Sequence, residues 1–291
     1  MTDKPDQQNH TRPKADDREV VLGYSNHHLA QQVHALHVKR SRRRSILVLA
    51  VQLIILFGSF ILWETAGRMK WIDVLLFSYP SKIVELLWEN LLEGTLLPHV
   101  GITVTETLIG FVSGTLCGTL LAALIWWSPF LSRVLDPFIV VLNSMPKVAL
   151  GPIFIVAIGP GLGSVIAMAL AITVIITTLV VYSSFKEVDN NYIKIVQLFG
   201  GSRLTIFRRV ILPASFGTII STLKVNVGLA WVGVIVGEFL VAKQGLGYLI
   251  IYGFQVFNFT LVISSLFVIA IAATFMYQAV AYLENKLARR L

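Results

Sequence analysis

Long apolar runs separated by short polar stretches dominate this chain. A helix needs about 20 mostly apolar residues to cross the hydrocarbon core of a bilayer. Six runs meet that length: residues 45–63, 99–127, 134–158, 162–185, 216–242 and 259–283. The pattern predicts an all-α integral membrane protein with six transmembrane helices. The third run is the most interrupted, by Asn143, Pro146, Lys147, Gly151 and Pro152. Between the first two runs, residues 81–92 carry apolar positions at helical spacing, with Ser81 as the expected N-cap. Trp71, Tyr79 and Trp88 nearby suit an interfacial helix at the outer leaflet.

The most informative polar stretch is residues 186–213, K-E-V-D-N-N-Y-I-K-I-V-Q-L-F-G-G-S-R-L-T-I-F-R-R-V-I-L-P. Residues 189–199 read as a short helix, ended by Gly200-Gly201 because glycine adopts the left-handed conformation without steric cost. Ser202 is placed to cap a second short helix through Ile211, and Pro213 suits the first turn of the fifth span. Two short angled helices beside a membrane make a rigid protrusion. Leu198, Phe199, Leu204 and Phe207 supply apolar knobs, and Arg203, Arg208 and Arg209 supply charge for headgroups or a partner.

Composition agrees with a membrane protein. The chain has 291 residues, 55% hydrophobic and only 14% charged, against about 25% charged in soluble domains; its mean hydropathy is +0.74. The net charge of +8 sits beside the spans, so it points to membrane topology and not to nucleic acid. Arg40, Arg42, Arg43, Arg44, Arg133, the 186–213 basic residues, Lys286, Arg289 and Arg290 fall on one side of a six-span bundle. The other side holds Arg68, Lys70, Lys82 and Lys243. Both termini are therefore expected to be cytoplasmic. The first apolar run reads as an uncleaved anchor. Residues 1–44 form a polar, basic tail before a membrane domain at 45–291. His27, His34 and His37 in that tail lack supporting carboxylates or cysteines, so no metal site is assigned. Cys117 is the single cysteine, so no internal disulfide forms, and it reads as a small helix-packing residue.

Ionisable groups inside a membrane face a polar interior or a partner. Asn143, Lys147, Lys224 and Glu238 are accordingly the candidate residues of a translocation path, and a cationic lining at Lys147 or Lys224 suits an anionic solute. Gly228, Ala230, Gly233 and Gly237 suit close helix packing.

The stretch L-F-G-G-S-R-L-T-I-F-R-R-V-I-L-P-A-S, residues 198–215, resembles the coupling-loop signature of ABC importer permeases. Gly200 matches its glycine and Leu212-Pro213 its end; Lys194-Ile195-Val196 replace the usual Glu-Ala-Ala triplet. Residues 145–161 (M-P-K-V-A-L-G-P-I-F-I-V-A-I-G-P-G) and 228–250 (G-L-A-W-V-G-V-I-V-G-E-F-L-V-A-K-Q-G-L-G-Y-L-I) are similar to the nitrate, sulfonate and taurine branch. The resemblance implies a type I importer permease fold with cytoplasmic coupling helices. It implies two permease copies as a homodimer, an ABC ATP-binding subunit and an extracytoplasmic solute-binding protein. It carries ATPase docking onto Leu198, Phe199, Gly200, Gly201 and Ser202, and import of a small anion such as an aliphatic sulfonate, taurine or nitrate, in the inner membrane.

No G-x-x-x-x-G-K-[ST], H-E-x-x-H or G-x-S-x-G motif occurs. The chain is thus expected to hold no catalytic residue and no cofactor, with ATP bound by the partner subunit. The alternative is a secondary transporter that works without an ATPase.

Overall fold

A computed structural model describes residues 46–288. The tail at 1–44, with His27, His34, His37 and its arginines, lies outside the described residues, as do Arg289 and Arg290. The chain groups into two compact units that divide between Thr65 and Ala66. Every regular element among the described residues is a helix.

The first unit contributes the start of α1 (Ile46–Arg68), an uninterrupted apolar helix whose residues are almost all exposed. The second unit takes the end of α1 and continues with α2 (Val74–Phe77), capped by Asp73, which accepts the Leu75 N–H at 2.8 Å. Helix α3 (Pro80–Leu92) follows. Its N-cap is Tyr79 and not Ser81; Pro80 occupies the first turn, where its missing N–H has no partner to lose. The long helices are α4 (Leu96–Trp127), α7 (Leu162–Glu187), α10 (Leu212–Val241) and α12 (Phe259–Ala288).

The third apolar run is not one straight helix. Its residues form α5 (Pro129–Ser144), a 3₁₀ turn at Lys147–Leu150 and α6 (Gly151–Ile158), bent by 98° at the break. Met145 is extended, the conformation favoured before proline, and Pro146 ends the α-helical run. Among the described residues five helices are long and apolar enough to cross a membrane, and the number is six if the bent pair counts as one span.

Helices α4, α7 and α10 pack on one another as the core. Close approach comes from glycine. A Cβ at Gly110, Gly114 or Gly118 of α4 would lie 2.5 Å from Ala169 Cβ, 2.7 Å from Thr173 Cβ and 2.6 Å from Thr177 Cβ of α7. Along the same stripe of α7, a Cβ at Gly233 of α10 would meet Ala169 Cα at 2.5 Å, and one at Gly237 would meet Val165 Cα at 3.0 Å. These contacts gain van der Waals energy that lipid, as apolar as leucine, does not offer in exchange. Gly228, grouped with them on spacing, is different: nothing lies within 4 Å of its Cβ position. Cys117 is exposed on α4 and packs no helix.

Candidate functional site

The segment after α7 is built by local rules. Helix α8 (Asn190–Leu198) is capped by Asp189, whose side chain accepts the Asn191 N–H at 2.8 Å. At its end Gly200 has φ +73°, the Gly200 N–H bonds Gln197 O and the Gly201 N–H bonds Val196 O, both at 2.9 Å. That is a Schellman ending, and it needs the glycine. Ser202 then caps α9 (Arg203–Ile206) by accepting the Thr205 N–H at 3.3 Å. Leu198 and Phe199, 86% and 89% exposed, stand at the turn.

Beyond α9 the helix does not stop and restart at Pro213. It runs on from Arg203 to Val241, through a π-helical turn at Phe207–Ile211. Pro213 has no N–H for Arg209 O, and the register widens there: the Leu212 N–H bonds Phe207 O, five residues back.

Phe207, assigned outward, faces inward. Phe207 packs on Trp126 and Phe185 with ring centroids 5.2 and 5.7 Å apart, and Ile206 and Ile211 join the buried cluster of Ile125, Val181 and Phe185. The Arg203 guanidinium lies 5.6 Å over the Trp126 ring and donates to Trp126 O at 3.4 Å. The protrusion is thus braced against the ends of α4 and α7.

Two polar clasps hold the core. In the middle, Asn226 of α10 donates to Thr115 Oγ1 of α4 at 2.8 Å and to Thr177 Oγ1 of α7 at 2.7 Å. At the end remote from α8–α9, Glu238 is 1% exposed. It accepts from Thr103 Oγ1 at 2.6 Å and from the Gly247 N–H at 2.5 Å. Its carboxylate caps the N-terminus of α11 (Leu246–Gln255), where backbone N–H groups have no helical partner. The Leu246 N–H bonds Thr103 Oγ1 at 2.8 Å, and the Gly245 N–H bonds His99 Nδ1 at 2.9 Å. Glu106 of α4 meets the Glu238 carboxyl from the other side.

The four path candidates are not gathered in one place. Lys147 Nζ donates to Asn143 O at 2.6 Å, so these two share the α5–α6 break, the cation sitting at a helix C-terminus. Lys224 is ion-paired with Glu284 of α12. Glu238 lies in the remote clasp. Sequence reasoning passed over Glu106, Thr103, His99, Asn226 and the Gly110, Gly114, Gly118 stripe. Two signals were available: a carboxylate inside an apolar run, and glycine at every fourth position.

Residues 114–289 match the family described as binding-protein-dependent transport system inner membrane component. The chain belongs to that family. It is a permease subunit of an ABC transport complex, a multi-pass membrane protein without catalysis of its own. Membership implies an ATP-binding subunit and a solute-binding protein as partners, and it removes the secondary-transporter alternative. The permease is 28% identical over 225 residues to the formylaminopyrimidine transport permease protein ThiX of Halalkalibacterium halodurans, covering 77% of this chain and 89% of the relative. It is 26% identical over 229 residues to the putative aliphatic sulfonates transport permease protein SsuC of Bacillus subtilis, covering 78% and 82%. To the taurine transport system permease protein TauC of Escherichia coli it is 24% identical over 230 residues, covering 77% and 84%. Among solved structures, a bacterial ABC transporter involved in alginate import matches with TM-score 0.59 and 15% identity, over 86% of this chain and 99% of that one. The MetNI methionine transporter in an inward-facing form matches with TM-score 0.56 and 18% identity, over 66% and 95%. The fold is that of ABC importer permeases.

Proposed function

We propose that two copies of this permease form the membrane path for a small organic anion of the sulfonate class, driven by an ATP-binding subunit that receives Leu198, Phe199, Gly200, Gly201 and Ser202. The observation that carries this reading is the braced turn at Gly200. Two large apolar side chains stand almost fully exposed on a segment that is polar and basic around them. Such an apolar anchor gains energy only when a partner covers it. The segment is continuous with α7 on one side and with the 39-residue helix on the other, so a push on it moves two core helices. The basic residues beside it support a cytoplasmic position for it and for both termini. ATP is held by the partner, and this chain contributes no cofactor site.

The homodimer rests on an unfilled face. Along α10, Ala214, Gly217, Ser221, Val225, Gly228 and Val232 are exposed at helical spacing, and a Cβ at Gly217 or Gly228 would meet nothing within 4 Å. Small residues on an open helix face let a second copy, or a solute between copies, approach the backbone. Asn143, Lys147 and Lys224 are the polar groups proposed along the path, with Glu238 acting on it only through its clasp. The solute class follows the sulfonate and taurine relatives and the two cations.

The test is cross-linking in the assembled complex. A Phe199→Cys permease, co-expressed with its ATP-binding subunit, should form a disulfide with cysteines introduced in that subunit's groove, and the yield should change when ATP is bound. A Phe199→Cys side chain that reacts only with reagents added from the periplasmic face refutes the docking assignment.

A further inference from the structure

A cavity of about 330 Å³ opens at the end of the core remote from the Gly200 turn. Its wall includes Ile102 and Glu106 of α4, Gly161 before α7, Val241 at the end of α10, and Lys243 and Gln244 after it. The volume is at the small end of the range of ligand sites. Glu106 is 2% exposed, and its Oε2 has no hydrogen-bond partner. Glu106 and the neighbouring Glu238 share a carboxyl–carboxyl hydrogen bond, and Glu238 is otherwise committed to Thr103 and to α11, so Oε2 of Glu106 stays open as an acceptor. A buried carboxyl oxygen without a donor is costly, and it is a place where a ligand's N–H gains more than it would in water. Lys243, by contrast, is exposed at the same cavity.

We propose that this cavity is a subsite for a zwitterion, with Glu106 accepting from the solute's ammonium group and Lys243 facing its anionic group. Gln244 adds a neutral amide at the wall. A solute bearing only a negative charge would be repelled by the negative charge of the Glu106–Glu238 pair. The subsite therefore selects amino-sulfonates over plain sulfonates, a refinement that rests on the sulfonate reading above. The stiffness of the clasp keeps Glu106 in place: the α10–α11 connection is tied to α4 at Thr103 and His99.

The experiment uses the permease with its ATP-binding subunit in nanodiscs, without the solute-binding protein. Binding of radiolabelled 2-aminoethanesulfonate is measured against competition by ethylammonium and by ethanesulfonate. Wild-type complex should bind the labelled zwitterion, ethylammonium should displace it, and ethanesulfonate should compete at least about tenfold more weakly, because charge-assisted hydrogen bonds are the strong ones. Glu106→Gln keeps the shape and should lower zwitterion affinity by about tenfold or more. Lys243→Met should weaken the zwitterion but leave labelled ethylammonium binding unchanged. Undetectable binding to wild type, or equal affinity in Glu106→Gln, overturns the subsite. Uptake of both sulfonates is measured in parallel with the complete importer. If ethylammonium binding depends on Glu106 while neither sulfonate is taken up, the subsite stands and the sulfonate class falls.

Discussion

Replacing Gly114 by alanine tests whether the α4–α7 contact holds this permease together. The added Cβ would stand 2.7 Å from Thr173 Cβ. Rotation about χ1 cannot relieve this, because Cβ is fixed to the backbone. To reach an ordinary separation of about 3.4 Å, the two helices must part by roughly 0.7 Å. Parting also stretches the bond from Thr173 Oγ1 to Gly110 O, now 3.3 Å. Overpacking of this kind costs about 1–3 kcal/mol, while alanine returns about 1 kcal/mol of helix propensity. Gly101→Ala in the same helix gains the same propensity with nothing within 4 Å of the new atom, so it is the matched control. The two variants should differ by about 2 kcal/mol, or about 4–8 °C in midpoint for a chain of this size. Thermal unfolding in one detergent, followed by tryptophan emission and size-exclusion, reads the difference. Equal midpoints for the two variants would refute the packing argument.

Gly200→Val should leave insertion and monomer stability nearly intact but uncouple transport, since a β-branched residue resists φ +73°; Gly200→Asn should retain most solute-stimulated ATPase activity, and normal uptake by the valine variant would count against the turn's role. Asn226→Ala should lower stability by about 1–2 kcal/mol through loss of its two bonds to Thr115 and Thr177, and a double-mutant cycle with Thr115→Val should show coupling in unfolding experiments. Lys224→Met leaves Glu284 without its cation and should reduce uptake more than Lys224→Met/Glu284→Leu, which removes both charges; initial uptake rates that are unchanged in both variants would take this pair out of the path.

The crossings were legible because lipid leaves the backbone no other choice: roughly 20 apolar residues in a row must be helical. The Gly200 turn and the caps at Asp189 and Ser202 were legible because each is settled within about five residues of chain. What hid from the sequence depends on rotation about a helix axis. Helices α4 and α10 are apolar all round, so no stripe says which face meets α7. Phe207 reads as an outward knob until the aromatic ends of α4 and α7 are known to lie beside it. Pro213 reads as a helix start, and only the π turn ahead of it shows how one helix absorbs a proline. Glu238 reads as a charge near the outer surface, yet its partners are donors on α4 and α11 that no spacing rule connects.

The placement of the clasps bears on how force would travel. Phe207 against Trp126 and Phe185, Asn226 against Thr115 and Thr177, and Glu238 against Thr103 join α10 to the rest of the core at both ends and the middle. Interfaces tied at three levels do not shear easily, because sliding by even one ångström breaks the hydrogen bonds at Asn226 and Glu238 and disturbs the ring packing at Phe207. Under the docking proposed above, α4, α7 and α10 would therefore tilt as one body when the Gly200 turn is pushed. The bend at Met145–Pro146 is the natural place for movement relative to that body. The extended Met145 and the Lys147–Asn143 bond there tie the α5 end mainly to itself. A rigid core with a compliant broken crossing beside it is the arrangement that lets a cytoplasmic push change access at the far end without chemistry in this chain.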